Sequence, residues 1–242
     1  MRPPQPLRYP FAFQDAAPHV GFLDELKRQA DAAKVQQTTD VDALDRNAML
    51  ADSACKSALR YFTTLTQQLN VLQPPSKVSY RLDTQHAFAG LRLSDFRADS
   101  RMKKLRGNEV FDHVSLRCQL KSGQALSIAK DFPPEVEKLE ARLRQSGAVF
   151  ESEAIRNPGN GRWQATRFEF TADFNLGARV TPNHDAGWVQ FQLLNLDGLE
   201  SVTVDFPAIE IGSTRLDELA RWLVGEPHDF LKDGHNVRRV EA

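Results

Sequence analysis

The sequence predicts an α+β fold: an N-terminal helical hairpin or coiled-coil segment, followed by a mostly antiparallel β-sheet domain that carries two helices. Two observations predict it. Apolar residues recur at alternating steps of three and four as far as Leu72, and from Lys77 onward they alternate with polar ones. Between the two patterns stands Pro74-Pro75, which ends a helix because proline has no amide hydrogen and collides with the preceding turn.

Residues 1–18 read as an extended leader, since Pro3, Pro4 and Pro6 oppose an early helix. Residues 19–75 form the helical segment. Leu23, Leu26, Ala30 and Ala33 share one face of its first part. Val41, Leu44, Ala48, Ala51, Cys55, Ala58, Phe62, Leu65, Leu69 and Leu72 then make a seam of about four and a half heptads, with Thr39 or Asp40 as its cap. Its middle is small, which lets a partner approach closely, and Phe62 opens a thicker end. Three occupants fit this seam: residues 20–36 folded back through the turn-prone stretch 36–40, a second copy in a homodimer, or a different protein. Ala51, Ala58 and Phe62 are its partner-binding positions.

The sheet domain covers residues 76–231. Val110, Val114, Leu116, Cys118 and Leu120 alternate with polar residues, as do Phe168, Phe170, Ala172 and Phe174, the pattern of half-buried antiparallel strands. Lys121-Ser-Gly123, Pro158-Gly-Asn-Gly161, Asp185-Ala-Gly187 and Asp197-Gly198 punctuate them as hairpin turns. Helices are expected near 133–146, opened by Pro133-Pro134 and stopped by Gly147, and near 214–224, capped by Ser213 or Thr214. Residues 232–242 read as a flexible tail. Asp95-Phe96 and Asp173-Phe174, like Gly147 and Gly225, stand at one common separation, which a tandem repeat of strands plus a helix would explain. Such halves would share a sheet with both helices on one face.

Composition excludes some classes. With 13 Gly and 13 Pro in 242 residues and 41% hydrophobic residues, the chain is neither low-complexity nor disordered throughout. Neither a secretory apolar run near Met1 nor a stretch of about 18 apolar residues occurs, so a cytoplasmic protein without an integral membrane segment is expected. Cys55 and Cys118 read as reduced, buried thiols. The net charge of −1 argues against a wholly basic nucleic-acid protein, but it conceals opposed segments. Residues 76–130 hold eleven Lys/Arg against five Asp/Glu, and residues 131–242 hold twelve against nineteen.

No phosphate-binding glycine loop, dinucleotide fingerprint, nucleophile elbow, His-Glu-x-x-His or paired Cys-x-x-Cys is present, and the six histidines have no ligand spacing. Small barrels that bind cyclic dinucleotides carry Arg-x-x-x-Arg and then Asp/Asn-x-Ser-x-x-Gly; Arg97 and Arg101 fit the first part, but Asp112-His-Val-Ser115 fails the second. No catalytic residue, metal site or cofactor is therefore expected. The leading expectation is a non-enzymatic interaction or adaptor protein. It would assemble through the helical segment and engage an acidic partner through an open sheet face or through Arg97, Arg101, Lys103, Lys104 and Arg106, expected on a long hairpin connection. A receptor or enzyme for a small anionic ligand is the alternative, with Arg92, His113, Arg117 and Arg167 as ligand-binding residues on the polar face, near Glu169, Gln190 and Gln192. Nonspecific nucleic-acid binding through 97–106 ranks third, because only Phe96 and Phe111 are close enough to stack on bases.

Overall fold

The computed structural model describes residues 22–241, so the leader expected at 1–18 lies outside the described residues. The chain divides into two units, residues 1–43 and 44–242. In the first, the described residues are helical, and Phe22, Leu23, Leu26 and Val41 are exposed. All that follows concerns the second unit, apart from the bounds of the first helix.

That helix, α1, runs Phe22–Leu72 without a break, which corrects the helical hairpin: residues 36–40 are helix, not a turn. No glycine or proline occurs between its ends, and Thr38-Thr39 lowers helix propensity by only some tenths of a kcal/mol per residue. Gln73, at φ 41°, donates its amide to the Leu69 carbonyl before Pro74-Pro75 stops the helix. Ala51, Ala54, Cys55, Ala58, Phe62 and Leu69 are buried in the chain's own core. The small centre of the seam thus lies close against a sheet of the same chain, and neither a partner helix nor a coiled coil is needed to cover it.

The strands are β1 (Tyr80–Arg81), β2 (Ala87–Phe88), β3 (Arg92–Leu105), β4 (Asn108–Lys121), β5 (Ala125–Lys130), β6 (Phe150–Arg156), β7 (Trp163–Thr171), β8 (Phe174–Asn183), β9 (Trp188–Leu194), β10 (Glu200–Pro207) and β11 (His235–Glu241). Six form one antiparallel sheet in the order β11-β10-β9-β8-β4-β3, and β5-β7-β6 form another. Helix α2 is Pro133–Ser146, closed by Gly147 at φ 73°, and α3 is Ser213–Leu223. Gly212, not Ser213 or Thr214, holds the N-cap of α3, without a side-chain bond.

Four further expectations are corrected. Residues 95–108 are not a loop, because β3 runs through the basic stretch and turns at Arg106-Gly107. Phe168 to Phe174 is not one strand: the chain leaves one sheet at Thr171 and enters the other at Phe174. The Asp173 carboxylate accepts the Ser122 and Gly123 amides, tying this crossing to the Lys121–Gly123 link, which joins two sheets and closes no hairpin. Residues 235–241 are an edge strand, held by Arg239 on Glu200 at 2.6 Å and Asn236 on Asp205 at 2.8 Å.

The order β-β-β-α occurs twice, as β3-β4-β5-α2 and β8-β9-β10-α3, but β5 and β10 lie in different sheets. Val114, Leu116, Cys118 and Leu120 of β4, Leu176, Ala178 and Val180 of β8, and Val189, Phe191 and Leu193 of β9 join α1 in the core. The alternate residues of these strands face the other way, away from α1. Two bulges in the β3–β4 ladder receive polar groups from the helix: Asn70 bonds both the amide and the carbonyl of Phe96, and Asp52 accepts the Phe111 amide at 3.0 Å. At the far end Asn47 donates to the Asp185 carbonyl, while Tyr61 donates to Asp217 of α3 at 2.5 Å.

Candidate functional site

On the face turned away from α1, a groove of about 870 Å³ crosses β3, β4, β8 and β9. Strand register builds it in rows. Asp99, Ser115, Arg179 and Gln192 stand side by side across four strands, and Arg97, Arg117, Gly177 and Leu194 form the next row. Gln119 and Asn175 extend it at one end, His113 at the other. A Cβ on Gly177 would strike the Leu116 carbonyl, so glycine is required where β8 approaches β4, and the floor there carries no side chain.

The charge of this face is mostly basic. Arg117 lies 3.9 Å from Asp99, both well exposed, and Lys121 holds Asp95 at 2.5 Å on the rim. The Asp112 carboxyl sits below the usual carboxylate range because His113 bonds it, with Lys103 and Arg101 adding positive charge nearby. Lys103 is 3.6 Å from Asp112. Among the described residues, no carboxylate lies within ion-pair distance of Arg97, Arg101 or Lys104. His113 Nδ1 is 3.0 Å from Asp112 Oδ2 and also 3.0 Å from Arg179 Nη2. Ser115 is 5% exposed, and its Oγ has no hydrogen-bond partner.

Of the residues expected to bind a ligand, His113 and Arg117 come together here, joined by Arg97 from the basic stretch and by Gln192. Arg92 pairs with Lys121 outside the groove, and Arg167 belongs to β7 in the other sheet, 4.0 Å from Glu153. Gln190 bonds Asp205 on the same six-stranded sheet. Arg101 stands opposite His113 and Lys104 opposite Glu109, while Arg106 pairs with Asp185. Ala51, Ala58 and Phe62 have no exposed surface, which corrects their expected place at an interface. The residues sequence reading missed are Arg179, Ser115, Gln119, Asn175 and Gly177. For Arg179, Asn175 and Gly177 the signal was the continuation of period 2 through 174–183, hidden by treating Phe168–Phe174 as one strand; Ser115 and Gln119 share the parity of His113 and Arg117 on β4.

The groove offers cations and hydrogen-bond donors. Burial pushes the Cys118 thiol far up, and it pushes Cys55 up to about 12, so neither is a thiolate at neutral pH. Among the described residues there is no group of three or more His, Cys, Asp or Glu placed to hold a metal ion. No described helix is long and apolar enough to cross a membrane, a statement that does not extend to strands. A second hollow of about 530 Å³ lies between α1 and the start of α3, near Arg60 and Tyr61. No protein-family model, curated protein or solved structure matches this chain.

Proposed function

We propose that this is a non-enzymatic cytosolic binding protein whose open sheet face receives an anionic ligand. The observation that supports the reading is the convergence of Arg97, Arg117 and Arg179 from three adjacent strands on one groove. At about 870 Å³ the groove falls in the range of small-molecule sites, roughly 300–1,000 Å³. The carboxamides of Gln119, Asn175 and Gln192 give a bound molecule further donors and acceptors.

Isothermal titration with a panel of phosphorylated and carboxylated metabolites tests it. A charge-assisted hydrogen bond contributes about 1.5–3 kcal/mol, so removing two with Arg117→Ala and Arg179→Ala should weaken binding about 100-fold or more at an unchanged melting temperature. An absence of binding by the wild type across the panel would overturn the proposal. An acidic protein is the second reading, favoured by Arg101 and Lys104, which extend the basic surface along the β3–β4 hairpin beyond the groove. It predicts salt-sensitive association lost in Arg101→Ala with Lys104→Ala and retained in the groove variants.

A further inference from the structure

We propose that the ligand of this groove is a phosphate monoester, seated over Gly177, and that it is bound together with a proton on His113, which releases Arg179 to the phosphoryl group. The proposal rests on the groove being an anion site.

Three features set the ligand class. The side-chain-free floor at Gly177 is bordered by Arg117 across one ladder and by Arg179 two residues along its own strand, with Ser115 diagonally adjacent. Cross-strand and diagonal neighbours stand about 5–8 Å apart, so a tetrahedral group above Gly177 is within reach of both guanidiniums. Ser115 supplies the second feature. Its buried hydroxyl is unpartnered, and a phosphoryl oxygen would accept its hydrogen. Charge is the third. Arg117 has Asp99, and a protonated His113 has Asp112, which leaves Arg97 and Arg179 uncompensated in the groove. Two unpaired cations match a dianion. The groove is far larger than one phosphate, and its carboxamides would be idle with a free ion, so the phosphate is esterified.

The proton enters through the geometry at His113 Nδ1. A guanidinium only donates and a carboxylate only accepts, yet Arg179 and Asp112 both stand 3.0 Å from the same ring nitrogen. A neutral ring with its hydrogen on Nε2 accepts from Arg179 and leaves Asp112 facing a lone pair. Once the ring is doubly protonated, Nδ1–H donates to Asp112 and no lone pair remains for Arg179. Positive charge on the ring then repels the guanidinium towards Ser115 and the open floor. The other charges facing this histidine are Arg101, opposite it on β3, and Asp112 beside it, which Lys103 meets at 3.6 Å.

Sulfate, whose charge stays at about −2 from about pH 5.5 to 8, separates protonation of the protein from that of the ligand. Titrated into the full chain, it should bind at least about tenfold tighter at the lower pH. By linkage, sulfate binding should then be accompanied by proton uptake, read as a titration heat that varies with the ionisation enthalpy of the buffer. His113→Ala removes the acceptor that holds Arg179, so it should bind tightly at both pH values, and Arg179→Ala weakly at both. Weak binding by His113→Ala at both pH values, or a wild-type affinity indifferent to pH, would overturn the proton linkage while leaving the anion site standing. No sulfate binding at either pH would remove the anion site itself. At about pH 8, where both are dianionic, phenyl phosphate should bind tighter than inorganic phosphate. Equal affinity would overturn the monoester.

Discussion

Replacing Asn70 with Ala should loosen α1 from the sheet at one identifiable point. In β3 the register gains a residue between Ser94 and Arg97, with Asp95 at φ 55°, so the backbone of Phe96 has no partner in the β4 ladder. Asn70 supplies both missing partners: its Nδ2 donates to the Phe96 carbonyl at 2.9 Å, and the Phe96 amide donates to its Oδ1 at 2.9 Å. Two neutral hydrogen bonds contribute about 2 kcal/mol net, and because Asn70 itself is exposed, water replaces part of that. The expected loss is about 1–2 kcal/mol. For a chain of this size it lowers Tm by about 2–8 °C and removes hydrogen-exchange protection at the Phe96 amide. Asn70→Asp retains the acceptor but sets a carboxylate oxygen against the Phe96 carbonyl, so it should cost at least as much. An Asn70→Ala protein melting within about 1 °C of the wild type, or an Asn70→Asp protein equal to it, would refute the clamp.

Two other perturbations have definite signs. Ala58→Glu places an unpaired carboxylate in a position with no exposed surface, and should cost several kcal/mol and abolish cooperative melting near 37 °C. A well-folded Ala58→Glu protein with a changed sedimentation coefficient would instead make the seam an interface. Burial lowers the pKa of His184, and it lowers that of His228, whose ring stacks on Trp222 at 4.4 Å. The unfolded chain therefore takes up their protons first, near pH 6.5, so stability is full above that value and declines as pH falls through it. Urea midpoints at about pH 7.5 and 5.5 should show the decline, reduced in His228→Asn, and equal midpoints would contradict the assignment. The Asp83 carboxyl titrates far lower, at about 2: burial opposes its charge, but the Gln85 and His86 amides, the His86 ring and Lys130 outweigh it. Its contribution, present above about pH 4, is lost only as pH falls towards 2, outside the histidine window.

The helix and most strands were legible because periodicity records which face of an element is buried. It does not record what buries that face. Ala51, Cys55 and Ala58 answer equally to a second helix and to a sheet, since both demand small side chains where backbones approach closely. The hairpin failed for a related reason: stretch 36–40 is rich in polar residues that favour turns, yet it holds neither glycine nor proline, so a helix crosses it at little cost. At the other end of the chain, residues 232–242 read as a flexible tail, although Arg238 and Arg239 put charge on the edge strand β11, which keeps such a strand from pairing further.

The site was legible only in part, and register explains the boundary. His113 and Arg117 lie on one strand, where parity alone places them on the same face. Arg179 is 66 residues from His113, and the contact between them depends on how β8 is set against β4. A one-residue slip would turn Arg179 into the core and bring Ala178 or Val180 to the surface. The buried set Phe174, Leu176, Ala178 and Val180 forbids that slip, so the core of β8 dictates which cations meet on the opposite face. Arg167 shows the converse. Its strand alternates just as regularly, but Asp173 holds the crossing at which the chain changes sheets, so the parity of β7 has no bearing on the groove.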